Sequence, residues 1–280
     1  MADSGPTLVL GATSLIGRFL LPRLAAAGAE VVAISRAPKP LAPGVRWIEA
    51  DLTAPDWSAD IPRAATVFAL TPIWLLPPAL PALAGAEARR LVAVSSTSVF
   101  TKAASPEPSE RDVARRLADA EEAVTASGLA WTILRPTMIY AEGLDANVSR
   151  LARLIARWKA LPLSGRGAGL RQPVHADDLA AGAIAAAGAD AAVGRSYDLP
   201  GGETLSYREM VGRLFEAQGL PPCIFSVPPP LWRLALALAA PLLPGATGAM
   251  GDRMAADLTF DAAPAQRDFG WAPRRFQPRF

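Results

Sequence analysis

One stretch near the amino terminus decides the fold, Thr7-Leu-Val-Leu-Gly11-Ala-Thr-Ser14-Leu-Ile-Gly17. Its first four residues are typical of a short buried strand, and a helical pattern from Leu15 to Ala27 follows the glycine turn. Gly11 permits a tight turn and Gly17 permits close packing of the helix on the sheet. The free N–H groups at the helix start can bind a pyrophosphate. The stretch therefore predicts a dinucleotide-binding site.

The rest of the chain alternates apolar runs with helical patterns. This alternation is typical of βαβ units, so it predicts an α/β protein with a parallel sheet. Prolines between Ile73 and Ala86 predict that any helix there is short or broken. Further strands are predicted at Val31–Ser35, Val45–Glu49, Ala65–Leu70, Leu91–Ser95, Trp131–Leu134 and Ser196–Leu199. Further helices are predicted at Ser109–Ala126, Asn147–Trp158, Asp177–Ala187 with an aspartate N-cap, Ser206–Ala217 and Leu231–Ala239.

The composition excludes several classes of protein. Hydrophobic residues make up 51% of the 280 residues and charged ones 19%, so the chain can bury a full core. With 28 basic against 26 acidic residues, it has no positive field suited to nucleic acid as a partner. A single cysteine, Cys223, excludes a disulfide framework, and a single histidine, His175, argues against a metal site.

Three segments bear on location and partners. The amino terminus lacks the basic region that begins a signal peptide, so a cytoplasmic setting is expected. The apolar stretch from Leu231 to Leu243 is interrupted by Pro241 and is shorter than the ~20 residues that span a bilayer. It is expected to line a substrate pocket, with contact to a membrane surface as the alternative. The basic and aromatic tail Arg274–Phe280 is expected to dock on the protein rather than to bind RNA.

Residues at the ends of the second and third strands bear on the choice of cofactor. Ser35-Arg36 closes the second strand, where an acidic residue would accept from a ribose 2′-OH and arginine favours a 2′-phosphate. NADP(H) is therefore preferred over NAD(H), the alternative being a solvated arginine at a strand end. Asp51 and Leu52 are expected near the adenine, unless Asp51 is only a turn residue. Ser14 stands in place of a third glycine, where its hydroxyl can donate to a phosphate.

Taken together, these segments resemble the short-chain dehydrogenase/reductase superfamily, in the extended and atypical branches related to sugar-nucleotide epimerases and dehydratases. The stretch GATSLIG is similar to that family's GATGFIG. Val94–Phe100 resembles its SSxxVYG segment and places Ser96 at the catalytic serine position. Further segments that resemble the family are Ala50–Leu52, Leu134–Tyr140, Leu170–Asp178 and Asp268–Pro273.

The resemblance implies a Rossmann-type doubly wound parallel sheet with a smaller substrate-capping lobe. Residues 1–140 would bind NADP(H), and residues 141–280 would mainly form the lobe, interleaved with the sheet. Arg171 would hold an anionic group of the substrate, unless it simply pairs with nearby acids, and His175 would also lie in the substrate site. The implied cofactor contacts are Gly11, Thr13, Ser14, Leu15, Ile16, Gly17, Ser35, Arg36, Asp51, Leu52, Leu70, Ser95, Pro136 and Met138.

The catalytic core departs from the family pattern. The family's acid/base is a tyrosine four residues before a lysine, and this chain has no such pair. The helix that would carry it reads Glu110-Arg-Asp-Val-Ala-Arg115-Arg116, with arginine near the lysine position. The remaining catalytic candidates are Ser96, Lys102 and Tyr140. Alternatives are that Lys102 binds phosphate or lies at the surface, that Tyr140 is a packing residue, and that His175 is a general base or purely structural.

Two hypotheses follow. The first is an NADP(H)-binding oxidoreductase or epimerase/dehydratase-like enzyme that acts by hydride transfer on a small or nucleotide-linked substrate, as a monomer or homodimer. The second is a non-catalytic dinucleotide-binding sensor or assembly protein. The missing tyrosine and lysine favour the second, whereas Ser96 and the segments Leu134–Tyr140 and Leu170–Asp178 favour the first because a pure sensor needs no substrate cleft.

Overall fold

The computed structural model describes residues 5–39, 41–232, 234 and 248–280. The strands, in chain order, are β1 (Thr7–Leu10), β2 (Val31–Ser35), β3 (Arg46–Glu49), β4 (Thr66–Ala69), β5 (Arg90–Val94), β6 (Ala130–Pro136), β7 (Ile139–Tyr140), β8 (Leu161–Ser164), β9 (Leu170–Arg171), β10 (Val174–His175), β11 (Arg195–Leu199), β12 (Leu205–Ser206) and β13 (Ile224–Val227). The α-helices used below are α1 (Gly17–Ala26), α2 (Leu80–Gly85), α3 (Ser98–Thr101), α4 (Pro108–Thr125), α5 (Val148–Trp158), α6 (Ala176–Ala187), α7 (Tyr207–Glu216), α8 (Gly248–Ala255) and α9 (Ala263–Phe269).

Seven parallel strands form the main sheet, in the order β3-β2-β1-β4-β5-β6-β11. The order reverses between β1 and β4, and ligands of such sheets bind at this switch point, outside the carboxyl ends of the strands. β11 comes from the second half of the chain and pairs with β6 along its whole length, ending with Leu199 opposite Pro136. The architecture is therefore the Rossmann-type doubly wound sheet that the sequence predicts.

Helices cover both faces of this sheet. α1 and α6 contribute Leu20, Leu24 and Ala183 to a buried cluster on one face. α2 and α4 contribute Leu83 and Leu117 to a second cluster on the other face. Side chains alternate along each strand, so a parallel sheet that is covered on both faces needs strands that are apolar throughout.

A smaller lobe extends from the second half of the chain. The strand pairs β7–β10, β9–β12 and β8–β13 and the helices α5 and α7 build it. Its core is a third cluster that includes Val148, Leu214 and Phe215. No helix within the described ranges is long and apolar enough to cross a membrane.

The carboxyl-terminal tail docks against this lobe, as predicted. Phe276 is fully buried, and its ring packs edge-to-face on Tyr140 with 5.0 Å between ring centroids. Arg213 donates to the carbonyl oxygen of Phe276 at 2.6 Å, and the Phe276 N–H donates to Glu203. The tail is therefore held by backbone hydrogen bonds as well as by its aromatic side chain.

The predicted elements agree with the observed ones to within two residues wherever the structure describes them. Between Ile73 and Ala86 the chain forms two short 3-10 segments and the six-residue α2, so the helix there is broken as expected. The predicted aspartate N-cap of α6 is wrong. His175 is the N-cap, because its Nδ1 accepts from the Asp177 N–H at 3.1 Å. Most of the predicted helix Leu231–Ala239 lies outside the described residues.

Candidate functional site

The turn between β1 and α1 depends on two glycines. Gly11 has a φ of +69°, and a Cβ there would lie 2.7 Å from Thr71. A Cβ on Gly17 would lie 2.1 Å from the carbonyl oxygen of Ala12, much closer than any side-chain carbon is found. Both positions therefore require glycine, and they bring the start of α1 against the carboxyl end of β1, where a phosphate is bound in this fold.

Ser14 occupies the place of a third glycine without closing the turn. Its Oγ accepts a hydrogen bond of 3.1 Å from the N–H of Gly17, the first residue of α1. A serine hydroxyl can accept and donate at once, so its hydrogen remains available for a phosphate oxygen. Of the neighbouring predicted contacts, Leu15 is half-buried, and Ile16 packs in the core at 4% exposure.

Thr71 is a site residue that the sequence analysis missed. It follows β4 at the carboxyl edge of the sheet, beside Gly11. Its Oγ1 is buried and has no hydrogen-bond partner among the described residues. A buried hydroxyl without a partner costs about 1–3 kcal/mol, so a ligand that supplies one would be stabilised here. This vacant bond lies next to a turn that only glycine fits, so the residues present fit a dinucleotide. Leu70, just before it, is buried.

The end of β2 presents the groups that bear on cofactor choice. Ser35 Oγ lies 2.8 Å from Thr13 Oγ1, which ties β2 to the glycine turn. Arg36 is exposed directly after Ser35. Asp51 accepts from the N–H and the hydroxyl of Thr53, and these bonds, aided by the charge of Arg36, lower the pKa of its carboxyl. Leu52 is buried behind it in the second cluster.

Ser96 follows β5 and presents a free hydroxyl hydrogen. Its Oγ accepts from the N–H of Ser98 at 3.1 Å, which fixes the oxygen and leaves the proton to donate. Thr97 donates to the carbonyl oxygen of Pro136 through both its N–H and its hydroxyl, so the ends of β5 and β6 are held together. Two residues beyond Pro136, Met138 is half-buried against the third cluster.

A buried ion cluster lies under this edge. Ser95 donates to Glu121 of α4, and Arg135 of β6 binds the same carboxylate through two nitrogens. Ser95, predicted as a cofactor contact, thus has its hydroxyl engaged on the α4 face of the sheet. Asp198 of β11 lies 3.9 Å from Arg135, and burial raises the pKa of its carboxyl. Sequence reasoning missed this pairing, because Arg135 lies in the segment Leu134–Tyr140 whereas nothing in the sequence around Glu121 marks it as the partner.

Helix α4 turns an apolar face to the sheet in place of the family's tyrosine and lysine. Leu117 is 3% exposed and lies in the second cluster, with Ala114 also buried. Neither arginine at the expected lysine position faces the sheet. Arg115 is exposed and pairs with Asp112, and Arg116 lies 4.5 Å above the ring of Trp74. Apart from Glu121, the buried face of α4 therefore supplies no ionisable group.

Lys102 ends α3 and is half-buried. Close to it, Glu110 of α4 accepts from Ser105 and from Arg253 of α8. Burial opposes ionisation of Glu110, but the bonds from Ser105 and Arg253, together with the charge of Lys102, outweigh it and lower the pKa of that carboxyl. Lys102 thus lies close to an ion pair that joins α4 to α8.

Tyr140 and His175 are placed as packing residues. Tyr140 is 1% exposed, its ring contacts those of His175 and Phe276 edge-on, and burial raises the pKa of its phenol. His175 uses Nδ1 as the N-cap of α6 and places Nε2 3.1 Å from Glu142. Both rings pack edge-on against neighbouring rings, and both ring nitrogens of His175 have partners within the protein.

Arg171 is engaged by the backbone. Its side chain is buried, and it donates to the carbonyl oxygens of Leu170, Ala256 and Arg253. Its guanidinium also lies over the ring of Tyr207, and burial lowers its pKa. Arg171 therefore joins β9 to the end of α8, and its guanidinium is directed to backbone carbonyls.

The fold and this site define a dinucleotide-binding protein of the Rossmann type. The chain belongs to the NAD(P)H-binding family, whose model matches residues 11–154, slightly more than half of the chain. Among solved structures it is similar to MoeE5 in complex with UDP-glucuronic acid and NAD, with 25% identity, a TM-score of 0.75 and coverage of 97% of this chain and 94% of that one. The UDP-glucuronic acid 4-epimerase of Bacillus cereus shares the fold at 18% identity and a TM-score of 0.74, over 96% and 94% of the two chains.

Three relatives are similar in sequence. The (4-alkanoyl-5-oxo-2,5-dihydrofuran-3-yl)methyl phosphate reductase of Streptomyces griseus is 31% identical over 229 residues, 76% of this chain and 74% of the relative. The 2-alkyl-3-oxoalkanoate reductase of Stenotrophomonas maltophilia is 29% identical over 66% of this chain. The uncharacterized protein y4nG of Sinorhizobium fredii is also 29% identical over 66% of this chain. The matches span only 64% and 49% of those last two proteins.

Proposed function

We propose that this chain is an NADP(H)-dependent oxidoreductase of the atypical short-chain dehydrogenase/reductase type, which reduces a carbonyl group of a small anionic substrate. The observation that carries the proposal is the pairing of two features at one edge of the sheet. The glycine turn with the vacant Thr71 hydroxyl fits a dinucleotide, and Ser96 presents a fixed hydroxyl at the neighbouring strand end.

Each residue of the site would have a separate role in the reaction. Gly11, Ser14 and the start of α1 would hold the pyrophosphate. When bound, the nicotinamide supplies a hydride to the carbonyl carbon of the substrate. The Ser96 hydroxyl would donate to the carbonyl oxygen and stabilise the charge that develops on it. Lys102, on the segment that follows, is proposed as the source of the proton that this oxygen takes up.

Arg36 supports NADP(H) as the cofactor. It is exposed at the carboxyl end of β2, where the adenine ribose is bound in this fold, and Lys39 follows on the same loop. No acidic residue stands at Ser35 or Arg36 to accept from a 2′-hydroxyl. Arginine binds phosphate through two parallel hydrogen bonds, which suits a 2′-phosphate.

The names of two relatives support the substrate class. One acts on a 2-alkyl-3-oxoalkanoate, which carries a carboxylate, and the other on a methyl phosphate with an alkanoyl group. Both are named as reductases, and both names include an anionic group and an acyl or alkyl chain. We therefore propose an anionic carbonyl compound with an alkyl portion, in preference to a nucleotide sugar.

Turnover of NADPH with 3-oxoalkanoates and with phosphate esters that carry an alkanoyl group tests the proposal. Ser96→Ala should lower kcat by about 10²-fold, as loss of one oxyanion donor does, and leave the Kd for NADPH unchanged. Ser98→Ala is the matched control, because it removes a neighbouring hydroxyl and keeps the N–H that fixes Ser96. Lys102→Ala should lower kcat about tenfold or more. Equal kcat in wild type and Ser96→Ala would overturn the assigned role.

A second candidate is a non-catalytic dinucleotide-binding protein, and the apolar face of α4 favours it. A chain that only binds NADP(H) needs no acid/base group on α4, so the buried Leu117 and Ala114 of that helix would not impair its function. Tight NADPH binding with no oxidation in the presence of any carbonyl substrate would favour this candidate. Turnover that depends on Ser96 would exclude it.

A further inference from the structure

Charge is distributed unevenly along the chain. Residues 146–176 and 217–251 contain seven of the 28 basic residues and none of the 26 acidic ones. The rest of the chain therefore carries 21 basic against 26 acidic residues. A nearly neutral protein thus has two segments that are wholly free of carboxylates, and the second of them is strongly apolar.

Strand pairing joins these two segments in the lobe. β8 runs parallel to β13, with Leu161 opposite Ile224 and Pro162 opposite Phe225. Trp158 ends α5 three residues before β8 begins, and Leu231 follows β13 by four residues. Chain connectivity therefore keeps Trp158 and Phe225 within about 20 Å of each other.

Helix α5 carries a stripe of three exposed arginines. Arg150, Arg153 and Arg157 are exposed and lie at i, i+3 and i+7, so they share one face of the helix, opposite the buried Val148 and Ala152. None of the three makes an ion pair or a side-chain hydrogen bond with another residue that the structure describes. Their charges therefore remain free for an external anion.

Large apolar side chains are exposed on α5 and on the segment that strand pairing joins to it. Trp158 is 57% exposed, Phe225 50% and Leu231 57%. Trp158 lies at i+7 and i+4 from Leu151 and Leu154, which form a flank of α5 beside the arginines and are only partly buried. Exposed tryptophan and leucine next to a row of cations is the composition of helices that lie in a membrane interface.

We infer that this basic-apolar face of the lobe, formed by Arg150, Arg153, Arg157, Trp158, Phe225 and Leu231, docks on an anionic lipid surface. A second copy of the chain fits it less well, because a two-fold contact would set the arginine stripe against itself. The arginines would bind lipid phosphates and carboxylates while the three apolar side chains enter the interface. Residues 235–243 continue the apolar sequence without a charge.

Co-sedimentation of the full chain with lipid vesicles tests the inference. Wild type should bind vesicles with about 30 mol% phosphatidylserine in phosphatidylcholine at about 0.1 M salt, and bind much less to pure phosphatidylcholine or at about 0.5 M salt. Arg150→Glu/Arg153→Glu/Arg157→Glu should weaken partitioning at least about tenfold. Trp158→Ala/Phe225→Ser should weaken it at both salt concentrations, because the lost contribution is apolar.

A matched control separates this face from general basicity. Arg63→Glu/Arg275→Glu/Arg279→Glu makes the same change in net charge at exposed arginines elsewhere, and it should sediment like wild type. Circular dichroism of each variant confirms that it is folded. Three results would each overturn the inference: no binding of wild type, equal loss in the control, or a dimer in sedimentation equilibrium that the α5 variant abolishes. In the first case an acidic protein surface would be the partner to test.

Discussion

The glycine turn Gly11–Gly17 and helix α4 differ in what they keep of the short-chain dehydrogenase/reductase pattern. The turn keeps its geometry, because added side-chain carbons would meet Thr71 and the Ala12 carbonyl within 3 Å. The helix packs on the sheet through Leu117 and has no tyrosine.

We infer from this difference that the features for cofactor binding and for acid/base chemistry are separable in this fold. Binding rests on backbone: a turn that only glycine fits, and the N–H groups of a helix start. Acid/base chemistry rests on two side chains of a helix that folds equally well without them. Substitution on such a helix face leaves the architecture unchanged, whereas substitution in the turn does not.

The largest effect is expected at Gly17. In Gly17→Ala the added carbon would collide with the Ala12 carbonyl, so α1 must move away from β1 and the phosphate-binding N–H groups move with it. NADPH affinity should fall at least about a hundredfold, because about 3 kcal/mol or more of phosphate binding depends on this alignment. Calorimetric titration measures it.

Gly212→Ala in α7 is the matched control, since a carbon there meets nothing within 4 Å. It should leave NADPH binding unchanged and raise the free energy of unfolding by about 0.5–1 kcal/mol. Unchanged NADPH binding by a folded Gly17→Ala variant would contradict the role given to the turn.

A smaller effect, on stability alone, is expected in α4. Leu117→Ala should lower the free energy of unfolding by about 2–4 kcal/mol, as truncation of a buried leucine does, and leave the Kd for NADPH unchanged. Arg116→Ala removes only an exposed contact with Trp74, so it should cost less than about 1 kcal/mol. Denaturant unfolding gives both values. Loss of NADPH turnover in Arg116→Ala would show instead that this arginine replaces the missing lysine.

The smallest effect is expected for the ion pairs of Asp177, which connect α6 to α1 and to the carboxyl-terminal tail. Asp177 accepts from Arg23 at 2.8 Å and from Arg274 at 2.7 Å. Burial opposes ionisation of Asp177, but these bonds outweigh it and lower the pKa of its carboxyl. A lowered carboxyl pKa stabilises the fold above the unfolded pKa of about 3.9, and this stabilisation is lost as the pH falls through the folded value.

Asp177→Asn should therefore lower the free energy of unfolding by about 1 kcal/mol at neutral pH, and the difference from wild type should shrink as the pH falls below about 4. Asp56→Asn, at an exposed residue whose side chain makes no ion pair within the described part of the chain, should show no such difference. A difference for Asp177→Asn that is constant with pH would contradict the ion-pair account.

Local sequence signals were sufficient for the fold and for the turn. The strands and the turn are contiguous patterns, and Gly11 and Gly17 lie within seven residues of chain. Contacts between distant residues could not be predicted in this way. Thr71 reaches Gly11 only because β4 pairs with β1, and nothing around Thr71 in the sequence marks it.

The family resemblance also assigned roles to individual side chains. Whether a side chain can fill its role depends on its orientation, which the resemblance does not give. Arg171 fits the family segment, yet its guanidinium is directed to carbonyl oxygens of β9 and α8. Ser95 and Ser96 are adjacent and equivalent by type, but their side chains point to opposite faces of the chain at the end of β5. One donates to Glu121 and the other remains free to donate. The sequence alone does not show which of the two serines has the free hydroxyl.

Calorimetric titration of the protein with NADPH, NADH and NADP⁺, repeated with Arg36→Asp, tests the central claim most directly. An intact site predicts NADPH binding that is at least about tenfold tighter than NADH binding, and Arg36→Asp should remove that preference by weakening NADPH alone. Arg63→Asp, at an exposed arginine outside the site, should change nothing. No binding of any dinucleotide by the folded wild type would contradict the account, because the glycine turn would then not form a phosphate site.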